Sequence, residues 1–298
     1  MEWNPLKGHF MIKTSRKIFI ARLLSATINA IRILLGKSDK DKAVVKRRGI
    51  RWSLDLNEGI DFSIYLIGGF EPRTLRLYQK IVKPGQTVLD IGANVGSHTL
   101  PLAKLVGKSG RVVAFEPTYY AYSKLILNIA LNPELSPRIV PRQAMLVADS
   151  QARLEPALFS SWPLENSSDL HEVHKGRLMD TSGASVETLD DAVDRLELSR
   201  IDFLKIDVDG YEHHVLKGGL RTLKIHKPSI IVEFAPYLIK TEEFCDMVEL
   251  LLGLGYRFHD ANSLRQLPGN AHALKALIPC VSSLNIYCSR HGAISPLK

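Results

Sequence analysis

Residues 88–96, Val-Leu-Asp-Ile-Gly-Ala-Asn-Val-Gly, place a carboxylate and two glycines around one short loop. Asp90 lies in an apolar run that predicts a buried strand, and Gly92 and Gly96 flank the turn that follows it. Glycine permits a positive φ and a close approach of the backbone to a ligand. In open α/β sheets, ligands bind beyond the carboxyl ends of the strands. This loop is therefore the first candidate for a binding site.

The spacing within this loop argues against two phosphate-binding patterns. A G-x-G-x-x-G dinucleotide fingerprint starting at Gly92 would need glycines where Asn94 and Ser97 stand, and a P-loop pattern is absent. Glu116 ends the next apolar run, where a carboxylate can accept hydrogen bonds from a ribose diol. Asp90 and Glu116 together suit a nucleoside with a cationic end, and S-adenosylmethionine has this chemistry. The alternative is that both acids only cap helices.

A second group of acids follows a later apolar run. Asp207, Asp209 and Glu212 lie at the end of one predicted strand, and Glu233 ends another. Crowded carboxylates repel one another unless a metal ion, a cationic ligand or a lysine offsets their charge. We interpret Asp207 or Glu233 as a general base toward a substrate hydroxyl, or as an oxygen ligand of a divalent cation. In the alternative interpretation, one acid caps the following helix and the others are solvated.

Apolar strands and amphipathic helices alternate around these acids. Strands are predicted at residues 60–67, 87–91, 111–115, 138–146, 201–206 and 229–233. Helices are predicted at residues 71–81, 97–106, 119–131, 190–196, 213–223 and 241–254, and short strands with a loop at 256–287. Such alternation implies crossover connections and a mainly parallel sheet with helices on both faces.

Composition and charge restrict the class of protein. Hydrophobic residues make up 45% and charged residues 23% of the 298 residues, which excludes a disordered chain or a disulfide scaffold. Residues 1–51 carry 13 Lys and Arg against 3 Asp and Glu, whereas residues 52–298 carry 26 against 28. The near-neutral body lacks the basic face of a nucleic-acid-binding module. The three cysteines show no metal-finger spacing and are interpreted as reduced thiols.

The basic leader contains a predicted amphipathic helix. Between Ile20 and Leu35, apolar residues recur at spacings of three and four, and arginines lie on another face. This helix could dock on the body of the protein or on a partner, lie on a membrane surface through residues 12–35, or act as an organellar presequence. Residues 37–51 predict a solvated linker. We therefore expect a leader over residues 1–51.

The remaining residues, 52–298, are expected to form one domain with a core at about 60–237. Residues 160–185 interrupt its alternation with a polar, serine-rich stretch, which predicts a lid or substrate loop. His171 and His174 in this stretch are interpreted as solvated side chains rather than metal ligands.

Taken in chain order, these motifs resemble the FkbM-type methyltransferases. The resemblance covers about residues 60–237 and is carried by residues 69–72, 87–96, 113–117, 188–190, 205–212, 215–218 and 231–233. It implies a Rossmann-like class I methyltransferase fold, with a seven-stranded, mainly parallel sheet and helices on both faces. It also implies transfer of a methyl group from S-adenosylmethionine to a hydroxyl of a saccharide, glycolipid or related natural product.

The resemblance also implies roles for individual residues. The cofactor-binding residues would be Asp90, Gly92, Ala93, Asn94 and Gly96 at the methionine end and Glu116, with Pro117, at the ribose. The residues that would face the methyl-transfer centre are Asp207, Asp209 and Glu212, together with Glu233. Asp209 stands where the family more often has glutamate, so its carboxylate reaches one methylene group less far. His213 and His214 lie outside the pattern and are interpreted first as helix residues.

Two other functions stay open at this level. A non-catalytic Rossmann-like binding module would keep the fold without the chemistry. A nicotinamide-dependent oxidoreductase would need the fingerprint that fails at Asn94 and Ser97. For the methyltransferase we expect a cytoplasmic protein whose leader contacts the inner face of the membrane, and no nucleic-acid partner.

Overall fold

Strands and helices alternate along most of the chain in the computed structural model, which describes residues 24, 25, 27, 28, 41–160, 163–164 and 176–290. The strands are β1 (Lys42–Arg47), β2 (Ile50–Asp55), β3 (Thr87–Ile91), β4 (Arg111–Phe115), β5 (Ile139–Arg142), β6 (Ala144–Val147), β7 (Ala157–Ser160), β8 (Arg177–Asp180), β9 (Ser185–Thr188), β10 (Phe203–Ile206), β11 (Ser229–Phe234), β12 (Arg257–Asp260) and β13 (Leu284–Ser289). The α-helices are α1 (Gly59–Ile67), α2 (Pro72–Ile81), α3 (Thr99–Leu105), α4 (Tyr119–Ala130), α5 (Leu189–Arg195), α6 (Glu212–Lys217), α7 (Leu220–His226), α8 (Thr241–Gly253) and α9 (Ala271–Leu277).

A seven-stranded sheet forms the centre of the fold, in the order β12-β13-β11-β10-β3-β4-β5. The five strands from β11 to β5 are parallel, and β13 is antiparallel to both of its neighbours. Successive strand residues point to opposite faces. Accordingly, Leu89 packs in one buried apolar cluster and Val88 in another. The predicted mainly parallel sheet, covered on both faces, is confirmed.

The strand order changes direction between β3 and β10. From β3 the chain adds β4 and β5 on one side of the sheet, and later returns to add β10 and β11 on the other. The loops that leave β3 and β10 therefore flank a crevice at the carboxyl edge, which is where open α/β sheets bind ligands.

The prediction of a strand at residues 60–67 is wrong, because these residues form helix α1. The segment is apolar enough to satisfy either a helix or a strand, and periodicity alone does not separate the two over so short a run. Gly68 ends the helix in the left-handed conformation, with φ 80°, a conformation that glycine adopts readily. The buried side chains of α1 include a charged one, Asp61.

The prediction of a solvated linker is wrong for the part of residues 37–51 that the structure describes. Strands β1 and β2 form an antiparallel hairpin that turns at Arg48 and Gly49, both with positive φ. The basic side chains were misleading because they alternate with side chains that are buried, among them Ile50 and Trp52.

The leader is described at four residues, Leu24, Ser25, Thr27 and Ile28, all helical. The Ser25 hydroxyl is buried and donates to the Leu56 carbonyl at 3.0 Å, and Ile28 packs against one of the two apolar clusters. For these residues the structure agrees with docking on the body of the protein. The rest of the predicted amphipathic helix lies outside the described residues.

Three further predictions need correction in detail. Residues 138–146 form two strands rather than one, since β5 stays in the central sheet and β6 pairs with β9. The helix predicted at 213–223 is divided into α6 and α7 at two glycines. A Cβ at the first of them, Gly218, would lie 2.0 Å from the Val147 carbonyl oxygen. The C-terminal part contains helix α9 besides strands.

The predicted lid contains regular structure at both ends, because β7 and β8 form an antiparallel pair. His171 and His174 lie outside the described residues. Among the described helices, none has the length and apolar character needed to cross a membrane.

Candidate functional site

Gly92 brings the two loops of the crevice into contact. Its φ is +82°, and a Cβ at this position would lie 1.8 Å from the Asp207 carbonyl oxygen, so any side chain would force the loops apart. The backbone N–H groups of Gly92 and Ala93 both donate to the Phe115 carbonyl oxygen, at 3.0 and 2.9 Å. The loop after β3 is thereby fixed to the ends of β4 and β10.

Asp90 is completely buried at the end of β3. Its Oδ2 accepts a hydrogen bond from the Thr99 hydroxyl at 2.6 Å, and its Oδ1 has no hydrogen-bond partner among the described residues. Burial raises the pKa of Asp90, and the nearby Lys205 ammonium opposes that shift. Asp90 therefore stabilises the glycine loop from its buried side, through the hydrogen bond with Thr99 at the start of α3.

Lys205 is a buried cation that the sequence analysis did not identify. It lies in register with Asp90 on the neighbouring strand, and its Nζ is 4.0 Å from Asp90 Oδ1 and 3.0 Å from Asp207 Oδ2. Burial would lower the pKa of Lys205, but the charges of Asp207 and Asp90 outweigh it and hold the pKa above its usual value. Burial alone would raise the pKa of Asp207, but the Lys205 charge outweighs the effect of burial and lowers that pKa.

Glu116 is buried at the end of β4 and uses most of its acceptor capacity within the protein. Its Oε1 accepts from the Thr118 amide at 2.9 Å and from the Thr118 hydroxyl at 2.5 Å. Its Oε2 accepts from the Asn94 amide at 2.9 Å. Burial raises the pKa of Glu116. One lone pair of Oε2 stays available for a ligand hydroxyl. Asn94 and Gly96 both have positive φ, and Pro117 separates Glu116 from Thr118.

Three of the four predicted catalytic acids converge at the carboxyl ends of β10 and β11. One carboxylate oxygen from each of Asp207, Asp209 and Glu233 lies within 4.8 Å of the others. Burial and the charges of Asp207 and Glu212 raise the pKa of Asp209 to about 8. Burial and the charges of Asp207 and Asp209 raise the pKa of Glu233 well above its usual value. We call Asp207, Asp209 and Glu233 the acid group.

Glu212 points away from the acid group into its own loop. Its Oε1 accepts from the Val208 amide at 3.0 Å and from the Gly210 amide at 3.3 Å. The side chain is buried, and burial raises its pKa to about 7. The loop that it holds has positive φ at Asp209 and Gly210. Glu212 therefore shapes the loop that presents Asp209.

Four more polar residues reach the same edge of the sheet from distant parts of the sequence. Glu71 Oε1 accepts from Asn285 Nδ2 at 2.8 Å, and Asn285 lies opposite Glu233 in the β11–β13 ladder. His98 Nε2 is 3.7 Å from Glu71 Oε2, and the Tyr78 hydroxyl is 3.0 Å from His98 Nδ1. Glu71 precedes a proline at a helix start, and the sequence analysis interpreted it as a helix signal and as part of the family pattern at residues 69–72, without a role in the site.

The described ends of the predicted lid lie beside the cofactor loop. Ser160, at the end of β7, accepts a hydrogen bond from Asn94 Nδ2 at 3.4 Å. Arg177, at the start of β8, forms an ion pair with the buried Glu58 at 2.7 Å. His213 and His214 lie on α6 with their ring centroids 5.7 Å apart, so their interpretation as helix residues is retained.

The site lies at the carboxyl edge of a parallel sheet and begins with a glycine loop after β3. Buried acids lie at the ends of β3 and β4, and the acid group lies at the ends of β10 and β11. This arrangement defines the class I methyltransferase type of site. The chain belongs to the FkbM methyltransferase family, since the family model described as the methyltransferase FkbM domain matches residues 90–258, more than half of the chain. At the level of the family, this confirms the predicted class, an S-adenosylmethionine-dependent methyltransferase.

Comparison with solved structures finds methyltransferases at low sequence identity. The methyltransferase FkbM from Methylobacillus flagellatus KT is 17% identical, with a TM-score of 0.43 over 72% of this chain and 50% of that one. The present chain thus spans half of the length of that protein. Fibrillarin from Aeropyrum pernix, solved with natively bound S-adenosyl-L-methionine, is 11% identical, with a TM-score of 0.44 over 83% and 82% of the two chains. No curated protein matches this sequence.

Proposed function

We propose that this protein transfers the methyl group of S-adenosylmethionine to a hydroxyl group of a saccharide, a glycolipid or a related natural product. The observation that carries the proposal is the crevice between the loops after β3 and β10, where Gly92 and Asp207 touch. One side of this crevice carries the loop and acid arrangement of the family's cofactor site, and the other side carries the acid group.

The roles of the cofactor-binding residues follow from this arrangement. The loop from Asp90 to Gly96 would hold the methionine end of the cofactor. Glu116 would accept a hydrogen bond from a ribose hydroxyl through the free lone pair of Oε2. Among the described residues of the crevice, Lys205 is the ammonium that faces several acidic groups, and their excess favours a ligand that brings positive charge.

The acid group would act on the acceptor. The sulfonium already activates the methyl group, so the protein has to align the acceptor oxygen and remove its proton. In its ionised form Glu233 would be the stronger base of the two candidates, because burial raises its pKa, whereas the Lys205 charge lowers the pKa of Asp207. A divalent cation bound by the acid group is the alternative means of lowering the pKa of the acceptor hydroxyl.

Titration calorimetry with S-adenosylhomocysteine tests the cofactor part of the proposal. We expect micromolar binding to the wild type and its loss in Asp90→Ala and Glu116→Ala, with Glu249→Gln on the exposed face of α8 as the control for net charge. A folded wild type that does not bind would favour the non-catalytic binding module. Binding of NAD in its place would favour the oxidoreductase.

An acceptor screen tests the reaction. Methyl-labelled S-adenosylmethionine would be incubated with a panel of saccharides and glycolipids, and label in the organic product would be scored. Label that requires a free hydroxyl and disappears in Glu233→Gln supports the proposal. Label on an amine or a thiol of the panel would contradict O-methylation.

We also propose peripheral contact of the leader, residues 12–35, with the inner face of a membrane, through side chains other than those of Ser25 and Ile28, which pack on the body of the protein. The support is its cationic amphipathic pattern, because such helices bind anionic lipid surfaces. The test compares sedimentation of the full chain with anionic vesicles and that of a truncation starting at Asp41, which keeps β1 intact. Equal sedimentation of the two would exclude the leader as the contact.

A further inference from the structure

Tyr78, His98 and Glu71 form a polar chain that ends at the crevice. Tyr78 and His98 are both buried, at 0% and 2% exposure, and the Tyr78 hydroxyl lies 3.0 Å from His98 Nδ1. His98 Nε2 has no hydrogen-bond partner within 3.5 Å among the described residues, and Glu71 Oε2 lies just beyond, at 3.7 Å. The Glu71 side chain is 26% exposed, so the chain has one end open to the crevice.

The direction of the hydrogen bonds can be assigned. Burial raises the pKa of Tyr78 well above its usual value, so the phenol keeps its proton and can donate it to His98 Nδ1 in the tautomer whose Nδ1 carries the lone pair. Burial lowers the pKa of His98 to about 3, so the imidazole is neutral and its single proton is on Nε2. A lone pair on Nε2 would instead repel the Glu71 carboxylate. The N–H of Nε2 is therefore directed at Glu71 Oε2.

Among the described residues, Glu71 has no ion pair with a lysine or an arginine. Burial and the Asp207 charge raise the pKa of Glu71, and the Lys205 charge opposes that shift. Asp207 already takes the Lys205 ammonium at 3.0 Å. The groups of the described residues that contact Glu71, namely Asn285, Thr74 and the neutral His98, carry no charge. The Glu71 backbone is also in the left-handed region, at φ 47° and ψ 65°, which is rare for a residue other than glycine and more so before proline. The surrounding structure imposes a conformation that directs this carboxylate to the crevice.

We propose that Glu71 is a further cofactor-binding residue that faces the positively charged end of S-adenosylmethionine, and that His98 and Tyr78 are positioning residues for its carboxylate. The proposal rests on the placement of the methionine end in the loop after β3. Asp207, whose carbonyl touches Gly92 in that loop, is also within electrostatic range of Glu71.

Such a carboxylate would discriminate between cofactor and product. In methyl transfer the bond between sulfur and the methyl carbon breaks and its electron pair stays on sulfur. The sulfonium becomes a neutral thioether, while the acceptor oxygen gains the methyl group and loses its proton to a base. An ionised carboxylate attracts the sulfonium and not the thioether, and a sulfonium beside Glu71 would favour its ionised form against the effect of burial. Glu71 would therefore favour release of S-adenosylhomocysteine after each reaction.

The test compares two ligands that differ by this charge. Calorimetric dissociation constants for S-adenosylmethionine and S-adenosylhomocysteine would be measured in the wild type, in the isosteric Glu71→Gln and in Glu249→Gln as the charge-matched control. We expect Glu71→Gln to weaken S-adenosylmethionine binding about tenfold more than S-adenosylhomocysteine binding, the size of one partly screened charge pair. The control should leave the ratio unchanged. Equal weakening of both ligands would overturn the proposal.

Tyr78→Phe tests the positioning residues and keeps the packing of the ring. We expect the affinity ratio to shift in the same direction, by about threefold. Long-range proton–nitrogen NMR of the imidazoles should show His98, assigned by its absence in His98→Asn, protonated at Nε2 in the wild type. Protonation at Nδ1, or a ratio unchanged in Tyr78→Phe, would remove His98 and Tyr78 from the proposal.

These measurements also distinguish a failure of the Glu71 proposal from a failure of the proposed cofactor site on which it rests. If Glu71→Gln does not fold, Tyr78→Phe supplies the same ratio. A wild type that binds neither ligand would refute the cofactor placement itself. If the wild type binds both ligands and Glu71→Gln leaves the ratio of their dissociation constants unchanged, only the role of Glu71 is refuted.

Discussion

Lys205 Nζ lies 3.0 Å from Asp207 Oδ2 and 4.0 Å from Asp90 Oδ1, so one buried ammonium joins the two acidic motifs of the site. The motifs are more than a hundred residues apart in sequence, yet Lys205 and Asp90 are opposite each other in the β3–β10 ladder. The carboxyl ends of these strands can carry acids because this cation offsets part of their repulsion.

Replacement of Lys205 by methionine should destabilise the protein by about 3 kcal/mol at pH 7, since it leaves buried carboxylates without their counter-charge. Because Lys205 lowers the pKa of Asp207, that carboxylate contributes stability above its unfolded pKa and loses the contribution as the pH falls. The deficit of Lys205→Met should therefore shrink toward acidic pH. Urea denaturation at several pH values measures it. A pH-independent deficit, or an equal one in the exposed Lys224→Met, would contradict this account.

Replacement of Gly92 by alanine should separate the two loops of the crevice. The new Cβ would meet the Asp207 carbonyl at 1.8 Å, and the φ of +82° is strained for any other residue. We expect S-adenosylhomocysteine affinity to fall by more than about tenfold. Gly253→Ala is the control, because a Cβ there meets nothing within 4 Å. Unchanged affinity in Gly92→Ala would mean that the contact does not shape the cofactor site.

Replacement of Glu212 by glutamine should make stability less dependent on pH. Burial raises the pKa of Glu212 to about 7 from 4.5. Its contribution to stability is therefore complete below the unfolded pKa and is lost as the pH rises through about 7. The glutamine keeps an acceptor for the loop amides but does not ionise. Between about pH 5 and pH 8.5, the variant should gain up to about 3 kcal/mol relative to the wild type. Parallel pH profiles of the two proteins would refute the raised pKa.

Replacement of two asparagines of α4 should affect stability alike but cofactor binding differently. Asn128 accepts from the Ser53 amide of β2 and donates to the Val95 carbonyl in the cofactor loop at 2.9 Å, whereas Asn132 bonds Arg51 of the same strand. Replacement of either by alanine should cost about 2 kcal/mol, since backbone groups lose their partners. Only Asn128→Ala should also weaken S-adenosylhomocysteine binding. Equal affinities of the two variants for S-adenosylhomocysteine would mean that the Asn128 contacts do not link the β1–β2 hairpin to the cofactor site.

Removal of divalent cations should leave cofactor binding unchanged. The acid group could accommodate a cation, with its three oxygens within 4.8 Å, but Lys205 already neutralises one of its members. We expect S-adenosylhomocysteine affinity to be the same within about twofold after dialysis against EDTA, and methyl transfer to be the step that responds to added Mg²⁺ if a cation is used. Loss of cofactor binding in EDTA would place the cation in the cofactor site.

Much of the fold could be predicted because its signals are local. The strands at residues 87–91, 111–115 and 229–233 are short apolar runs bounded by turns, and the structure has β3, β4 and β11 there. Where the local signal was ambiguous, the prediction was wrong. Residues 60–67 fit both a strand and a helix, and packing against the rest of the chain decides between them.

The amino-acid sequence by itself determined the family, the parallel sheet and the acids at its strand ends, since these depend on short motifs and on the period of apolar residues. Only the tertiary structure decided which residues contact those acids. It placed Lys205 between Asp90 and Asp207, turned Glu212 into its own loop, and brought Glu71 to the crevice through His98. The contacts of Lys205 with Asp90 and of His98 with Glu71 join residues that are far apart in the sequence. They depend on strand order and burial, which no local pattern encodes.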